Sequence, residues 1–472
     1  MQYLSVDEAF NLILAGLRPL TAEPVALEAA PGRVLAEDVR SPLNIPPFAN
    51  SAMDGYAVRA VDTTGAAHDQ PARLRVVGEV AAGQVCPMVL EPGQAIRIMT
   101  GAMLPRGADA VVRFEDTSEG LYGRGPTFSG STTTFTTTIT AAADSGTGTG
   151  PTASTRPEEV RVYVPAKPGL NVRAEGEDIT ADRLVLEAGT RLTPGHLGLL
   201  AAMGFTTVKC ARRPRVAILA TGSELIEPGL PLSPGKIYNS NNPMLAALVN
   251  SCGAEAVILG AAGDDWETIQ GKLAEGLAQG VDLFLTSGGV SVGDYDLVKQ
   301  VLQAEGRLEM WQVRMRPGKP LAFGHLGEVP LLGLPGNPLA ALVSFELFGC
   351  PALLKIQGLS LPQVREPVEA VLAEPVSNHS GRRNFLRGKV GLQGPTLYVW
   401  PSVSQKAGQL ASLIESNCLI VAHEERSYYA PGERIEIIPL YGLETDLSNF
   451  GKINKGDDHH HSPASELSLR AV

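Results

Sequence analysis

Ala9, Leu12, Ile13 and Leu17 recur at helical spacing behind Ser5 and Glu8, a serine followed three residues later by a glutamate. That pattern predicts an amphipathic helix within residues 1–20, opened by a capping box. From Pro24 to Val112 the apolar runs are short, and Gly32, Pro46-Pro47, Gly83 and Pro92-Gly93 break them. Such text predicts β-rich structure with frequent turns. Val160–Val164 reads as a strand and Thr193–Met203 as a helix.

The pattern changes at Arg215. Val216–Ala220 is a continuous apolar run, Pro243–Asn250 is helical, Glu255–Leu259 strand-like and Trp266–Leu277 helical again. Val281–Thr286 is a second buried-type strand, and Asp296–Gln303 a further helix. Buried strands alternating with helices predict a parallel, doubly wound α/β sheet, whose ligands sit at the carboxyl ends of its strands. From about Leu359 short strands return at Val368–Leu372, Leu397–Trp400, Leu419–Ala422 and Arg434–Ile438, which predicts a small closing β domain.

Two segments stand apart. Thr127–Arg156 is a Thr- and Gly-rich stretch with too few apolar groups to offset its ordering entropy, and reads as a flexible insertion between two strands. Beyond Tyr441 the chain is polar, and His459-His460-His461 reads as part of a solvated tail rather than a metal site.

Composition narrows the class. At about 150 residues per domain, 472 residues suggest about three domains. With 44% hydrophobic residues the chain can build sizeable cores, and its net charge of −11 disfavours a nucleic-acid binder. Small anions are still allowed, because backbone N–H groups bind phosphate without net positive charge. Five scattered cysteines without C-x-x-C spacing argue against a disulfide framework and a zinc–thiolate site. The N-terminus lacks a basic and apolar leader, and no uncharged apolar stretch reaches the roughly 18 residues of a spanning helix. A cytoplasmic protein with no membrane partner is expected.

The candidate chemistry gathers at three turns that follow apolar runs: Thr221-Gly222-Ser223-Glu224, Ser287-Gly288-Gly289-Val290-Ser291-Val292-Gly293, and Leu334-Pro335-Gly336-Asn337-Pro338. Gly288 and Gly289 lack Cβ atoms, so an oxyanion can approach the backbone, with Ser291 as a hydroxyl donor. Each turn alone is equally read as a simple chain reversal. Glu224, Asp264, Asp265, Asp294 and Asp296 stand beside these turns, as solvated loop acids or as Mg²⁺ ligands that shield a bound phosphate. Arg316 and Lys319 flank Pro317-Gly318 as an anion clamp or a surface turn. Arg382, Arg383 and Arg387 add charge that a strand edge would also explain.

Seven stretches in order carry a resemblance: PPFANSAMDGYAV, IMTGAMLPRGADAVV, GLNVRAEGEDI, LATGSEL, TSGGVSVGDYD, RPGKPLAFG and LPGNPLAALVSFE. Together they resemble the molybdopterin molybdenumtransferase family, over nearly the whole chain from Ser5 to about Pro439. The resemblance implies a multidomain α/β plus β architecture. An elongated N-terminal dimerisation domain of α+β character would occupy 1–45 and 166–211. A β-rich inserted domain would span 46–165, with the flexible insertion at about 117–158. A doubly wound molybdopterin-binding domain would cover 212–357, a β-barrel-like domain 358–441 and a tail 442–472.

It further implies insertion of molybdate into adenylated molybdopterin, with AMP release and Mg²⁺ dependence, in a homodimer. The upstream adenylyltransferase and molybdoenzyme chaperones would be its other partners. Asp54, Thr100, Asp178, Glu224, Asp264 and Asp296 would be catalytic, and Glu224, Asp264 and Asp296 would hold the metal. Asp54, Thr100 and Asp178 would serve the α/β crevice of the partner subunit. Gly222, Ser287, Gly288, Gly289, Ser291, Gly293, Pro335, Gly336 and Asn337 would bind the cofactor's phosphate. Arg316, Lys319 and Arg383 would attract molybdate. The stretch SQKAGQLASLIESNCL, with Ser412, matches the family only loosely. A scaffold on the same fold and a molybdopterin adenylyltransferase are the alternatives, the latter disfavoured by SAMDGYA and the C-terminal β text.

Overall fold

The computed structural model describes residues 3–120, 158–289, 297–359, 368–406 and 410–440. Most of the Thr/Gly-rich insertion, the polar tail with its histidines, and Ser291, Gly293, Asp294 and Asp296 lie outside the described residues. The chain divides into two compact units, one of Met1–Glu37, Glu187–Ala201 and Phe205–Val472, the other of Asp38–Leu186 and Ala202–Gly204.

The first unit opens on the helix Val6–Ala15, where Glu8 N–H donates to Ser5 Oγ at 3.2 Å and Ser5 N–H to Glu8 Oε2 at 2.7 Å. The predicted capping box is therefore present. Behind it lies a six-stranded sheet in the order Glu255–Ala262, Arg215–Thr221, Leu283–Ser287, Val329–Leu334, Pro320–Leu326, Arg307–Gln312. Alternate side chains along one strand serve opposite faces. Val216 and Ile218 join a core with Val6, Ile13, Leu245 and Phe345, while Ala217 and Leu219 pack with Ile269, Leu273, Val298 and Leu302. Burial on both faces is why these strands read as unbroken apolar runs.

The sheet corrects the expectation of wholly parallel strands. Its first four are parallel, but Pro320–Leu326 runs antiparallel to both of its neighbours. The cause is local: only Gly327 and Glu328 separate it from Val329–Leu334, and Gly327 at φ +58° supplies the conformation a two-residue hairpin turn needs. The stretch Pro338–Ile356 is long and apolar enough to cross a membrane, but 94% of its most apolar window is buried inside the protein. It is a core helix, interrupted by a π turn at Phe345–Gly349.

Toward the C-terminus, Arg383–Gln393, Thr396–Pro401, Val368–Leu372, Arg434–Pro439 and Cys418–Ala422 pair in a ring, closed by the pairing of the first strand with the last. Alternate apolar residues such as Val390, Val399, Ile420 and Ile435 fill this barrel.

In the second unit a five-stranded sheet runs in the order Ala110–Arg113, Gly55–Val58, Gln94–Ile98, Ala72–Val80, Glu159–Val162. The inner strand Gly55–Val58 is buried throughout. At its first residue the neighbouring Val112 carbonyl fills the space a Cβ would need, so the ladder can close only on glycine. Gly55→Ala should lower stability by more than about 4 kcal/mol, against about 1 kcal/mol for removal of the helix cap in Ser5→Ala. Urea unfolding of the two variants tests this, and equal losses would refute the close-approach argument.

Candidate functional site: strand-end turns and a loop cluster

The parallel strands of the first unit end in register. Ala220 pairs with Ser287, Ser287 with Leu334, and Thr221 with Ala262. The chain leaves each strand in one of the glycine turns, at the carboxyl edge where such sheets bind ligands. Gly288 and Gly289, at φ +90° and +62°, wrap over Thr221. A Cβ on either would come within 2.9 Å of Thr221 Oγ1. Gly336 stands over Gly288, its own Cβ position 3.3 Å from the Gly288 Cα. Asn337 caps the next helix, its Oδ1 accepting from Leu339 N–H at 3.1 Å and Ala340 N–H at 3.4 Å, with Pro338 in the first turn. Thr221 Oγ1 is buried without a hydrogen-bond partner. Gly222, Ser287, Gly288, Gly289, Pro335, Gly336 and Asn337 are therefore brought together, around a buried hydroxyl.

The acids lie at the same edge. Ser223 N–H donates to Asp264 Oδ2 at 2.9 Å and Asp264 N–H to Ser223 Oγ at 3.0 Å, a reciprocal pair that fixes both turns. The Glu224 carboxylate folds back over Gly222, 2.6 Å from where a Cβ would stand. Lys236 Nζ donates to the Ser223 carbonyl of the same turn. Asp265 does separate work, capping Trp266–Ala278 by accepting from Thr268 N–H at 2.8 Å. Bonds from the Thr268 side chain and N–H hold its carboxyl below the usual range.

The basic residues form another group. Met315–Arg316 adds as a parallel strand to Arg383-Asn384, and the Lys319 ammonium lies 4.9 Å from the centre of the Tyr3 ring. Arg383 is held by two carboxylates, Asp7 at 2.8 and 2.9 Å and Glu424 at 3.0 Å. Burial alone would lower its pKa, but those bonds and charges raise it above the ordinary arginine value. Arg387 is fully buried, donating to the Ser412 hydroxyl and, at 2.8 Å, to the Ser404 carbonyl. Its desolvation lowers its pKa.

Sequence reasoning missed the Asn239-Ser240-Asn241-Asn242 run. All three asparagines are buried, and Asn241 bonds both the Ser287 hydroxyl and the Gly336 carbonyl. Three asparagines in four residues at a helix start is a visible signal, although a surface turn has the same look. His423, Glu424 and Glu425 also approach one another closely, but Glu424 is committed to Arg383.

In the second unit, the stretches PPFANSAMDGYAV, IMTGAMLPRGADAVV and GLNVRAEGEDI come together in one cluster. Ser51 N–H donates to Ala102 O at 3.0 Å, Ala52 N–H to Asn171 O at 2.9 Å, and Asn50-Ser51 pairs with Val172-Arg173. This cluster presents Asp54, whose Oδ1 accepts from Thr100 N–H at 2.7 Å and Thr100 Oγ1 at 2.8 Å. Asp178 lines a cavity of about 520 Å³ with Ile45, Pro46, Asn50, Arg173 and Glu177. The two bonds from Thr100, its N–H first, hold the exposed Asp54 carboxyl below the usual range. Thr100→Ala removes the hydroxyl and keeps the N–H, so the Asp54 pKa should rise only part of the way to the ordinary value. Carboxyl NMR titration reads this directly, and an unchanged midpoint would refute it. As pH falls through the depressed folded-state pKa, the bonded arrangement is lost.

Comparison with known proteins follows this geometry. Residues 4–204 match the MoeA N-terminal region (domain I and II), 217–355 a probable molybdopterin-binding domain, and 369–440 the MoeA C-terminal region (domain IV). Molybdopterin molybdenumtransferase 2 of Mycobacterium tuberculosis is 38% identical over 443 residues, 92% of this chain and 99% of that protein. The molybdopterin molybdenumtransferase of Haemophilus influenzae is 36% identical over 442 residues, 93% of this chain and 99% of its own. A crystal structure of the Pyrococcus horikoshii MoeA molybdopterin-biosynthesis protein superposes with a TM-score of 0.74 at 32% identity, covering 93% of this chain and all of that one. Similarity of this extent, running through all three matched regions in order, makes this chain a member of the molybdopterin molybdenumtransferase family.

Proposed function

We propose that the chain inserts molybdate into adenylated molybdopterin and releases AMP in a divalent-cation-dependent reaction. The observation that carries this reading is the convergence of the Gly222, Gly288-Gly289 and Gly336 turns over the buried, unpartnered Thr221 hydroxyl. The Gly222 and Gly288 N–H groups donate to the Ala262 and Leu334 carbonyls, each at 3.1 Å, and hold the turns in place. That leaves the N–H groups of Gly289 and Gly336 for a phosphate, as suits an acidic protein with an anionic substrate. Ser291 and Gly293 extend the same turn in sequence.

The phosphoanhydride of the adenylate is cleaved by breaking one P–O bond, as an oxygen of water or of molybdate forms the new bond to phosphorus. AMP leaves. The Gly289 N–H faces the charge that develops on the phosphoryl oxygens, while the Gly288 N–H is spent on the Leu334 carbonyl at 3.1 Å and fixes the turn. Glu224 and Asp264 offer the hard oxygen donors that Mg²⁺ prefers and stand beside the turns, where a phosphate would repel them otherwise, and Asp296 is assigned with them from the sequence. When bound, the cation neutralises charge between these carboxylates and the anhydride. Asp54, Thr100 and Asp178 are assigned to the same chemistry as further catalytic residues.

Molybdate, a dianion, is drawn by Arg316 and Lys319. The buried Arg387 with Ser412 is a better third cation than Arg383, whose guanidinium Asp7 and Glu424 already occupy. We assign the protein to the cytoplasm as a homodimer with the domain division given above, working with the upstream adenylyltransferase and molybdoenzyme chaperones.

The test is AMP release from purified adenylated molybdopterin, with and without molybdate and Mg²⁺. Release should require both. Asp264→Asn should slow it by about 100-fold or more, and Lys319→Ala should raise the half-saturating molybdate concentration about tenfold. AMP release indifferent to molybdate, or a fully active Asp264→Asn, would overturn the reading.

A further inference from the structure

We infer that Asn241 is a positioning residue, whose buried amide locks the Ser287-Gly288-Gly289 and Pro335-Gly336-Asn337 turns together and sets the direction of the Ser287 hydroxyl proton. The inference rests on the reading of that crevice as the phosphate site. Asn241 opens the helix Asn241–Ser251 and is 7% exposed. Its Nδ2 donates to the Gly336 carbonyl at 2.8 Å and reaches Ser287 Oγ at 3.3 Å.

The first of these bonds fixes the second. A carbonyl oxygen only accepts, so the amide must turn its nitrogen toward Gly336. Ser287 Oγ then receives a proton from the same nitrogen, and its own O–H is left to donate elsewhere. Ser287 is buried at a strand end and is followed directly by Gly288. Its hydroxyl thereby joins the backbone donors as a pre-aimed donor to an oxyanion. The two turns touch, with the Gly336 Cβ position 3.3 Å from the Gly288 Cα, so one amide can hold both. Asn241 Oδ1 remains buried without a partner. A buried amide that leaves an acceptor unpaired is costly as a purely structural element, and an N–H or O–H group of the bound ligand would satisfy it.

The neighbouring residue supplies an internal control. Asn242 is 1% exposed and also leaves its Oδ1 unpaired, but its Nδ2 bonds the Gly260 carbonyl at 2.9 Å on the edge strand Glu255–Ala262, away from both turns. A general effect of losing a buried asparagine should appear equally at both positions. A positioning effect should appear only at Asn241.

The experiment uses the full chain and its Asn241→Ala, Asn241→Asp and Asn242→Ala variants. Calorimetry with adenylated molybdopterin should show Asn241→Ala weakening binding about tenfold or more, with half-saturating molybdate unchanged. Asn241→Asp, isosteric and therefore the better folded, should lose more, because its carboxylate faces the Gly336 carbonyl. Asn242→Ala should bind as the wild type does, even with a similar fall in Tm. Hydrogen exchange without ligand should accelerate in segments 285–289 and 334–337 for the Asn241 variants alone. That comparison judges the lock by itself, whereas failure of the wild-type chain to bind the adenylated pterin would count against the proposed function. Unchanged affinity and exchange in the Asn241 variants, or matching losses in Asn242→Ala, would overturn the inference.

Discussion

The architecture of the crevice depends on one close approach, the packing of the Gly288 backbone against the Thr221 carbonyl at the carboxyl ends of neighbouring strands. A side chain at position 288 would push the strands' exits apart, and Gly336, which rests on Gly288, would move with them. Because the strands pair in register up to this edge, the departure of each is displaced sideways only by its turn. Missing Cβ atoms are thus the condition under which the Gly288-Gly289 and Gly336 turns, far apart in sequence, can pack together over Thr221. The Thr221 hydroxyl beneath them is buried without a protein partner.

A parallel constraint operates in the second unit. Gly55 lets the Gly55–Val58 strand lie against Val112, which brings the preceding residue, Asp54, to the rim beside Thr100. The two Thr100 donors then hold that carboxylate ionised and aimed. In both units a glycine with no room for a side chain has an acid as its immediate or near neighbour: Asp54 before Gly55, Glu224 after Gly222.

Electrostatics follow the same economy of means. A chain of net charge −11 has fewer cations than acids, and their placement decides what each can do. Some of those cations are spoken for. Arg383 spends its guanidinium on Asp7 and Glu424, pinning the first helix to the barrel, while Arg387 is desolvated among hydroxyl and carbonyl oxygens. Two arginines four residues apart on one strand are thus held differently, one by carboxylates and one by neutral oxygens.

The capping box, the buried strands and the three glycine turns were legible in the sequence because each rests on a local rule: side-chain reach over three residues, side-chain period, or the absence of a Cβ. Seven ordered motifs carried the family. The tertiary structure decided what no local rule encodes. It closed five strands into a barrel. It gathered the loops of Asp54, Thr100 and Asp178 into one cluster. It also buried Asn239, Asn241 and Asn242, which as text are indistinguishable from a solvated turn, and it gave Arg383 two carboxylates from positions 7 and 424. The reason is the same in each case. Partners tens to hundreds of residues apart meet only through the packing of the elements between them, and what a residue does depends on which partner arrives.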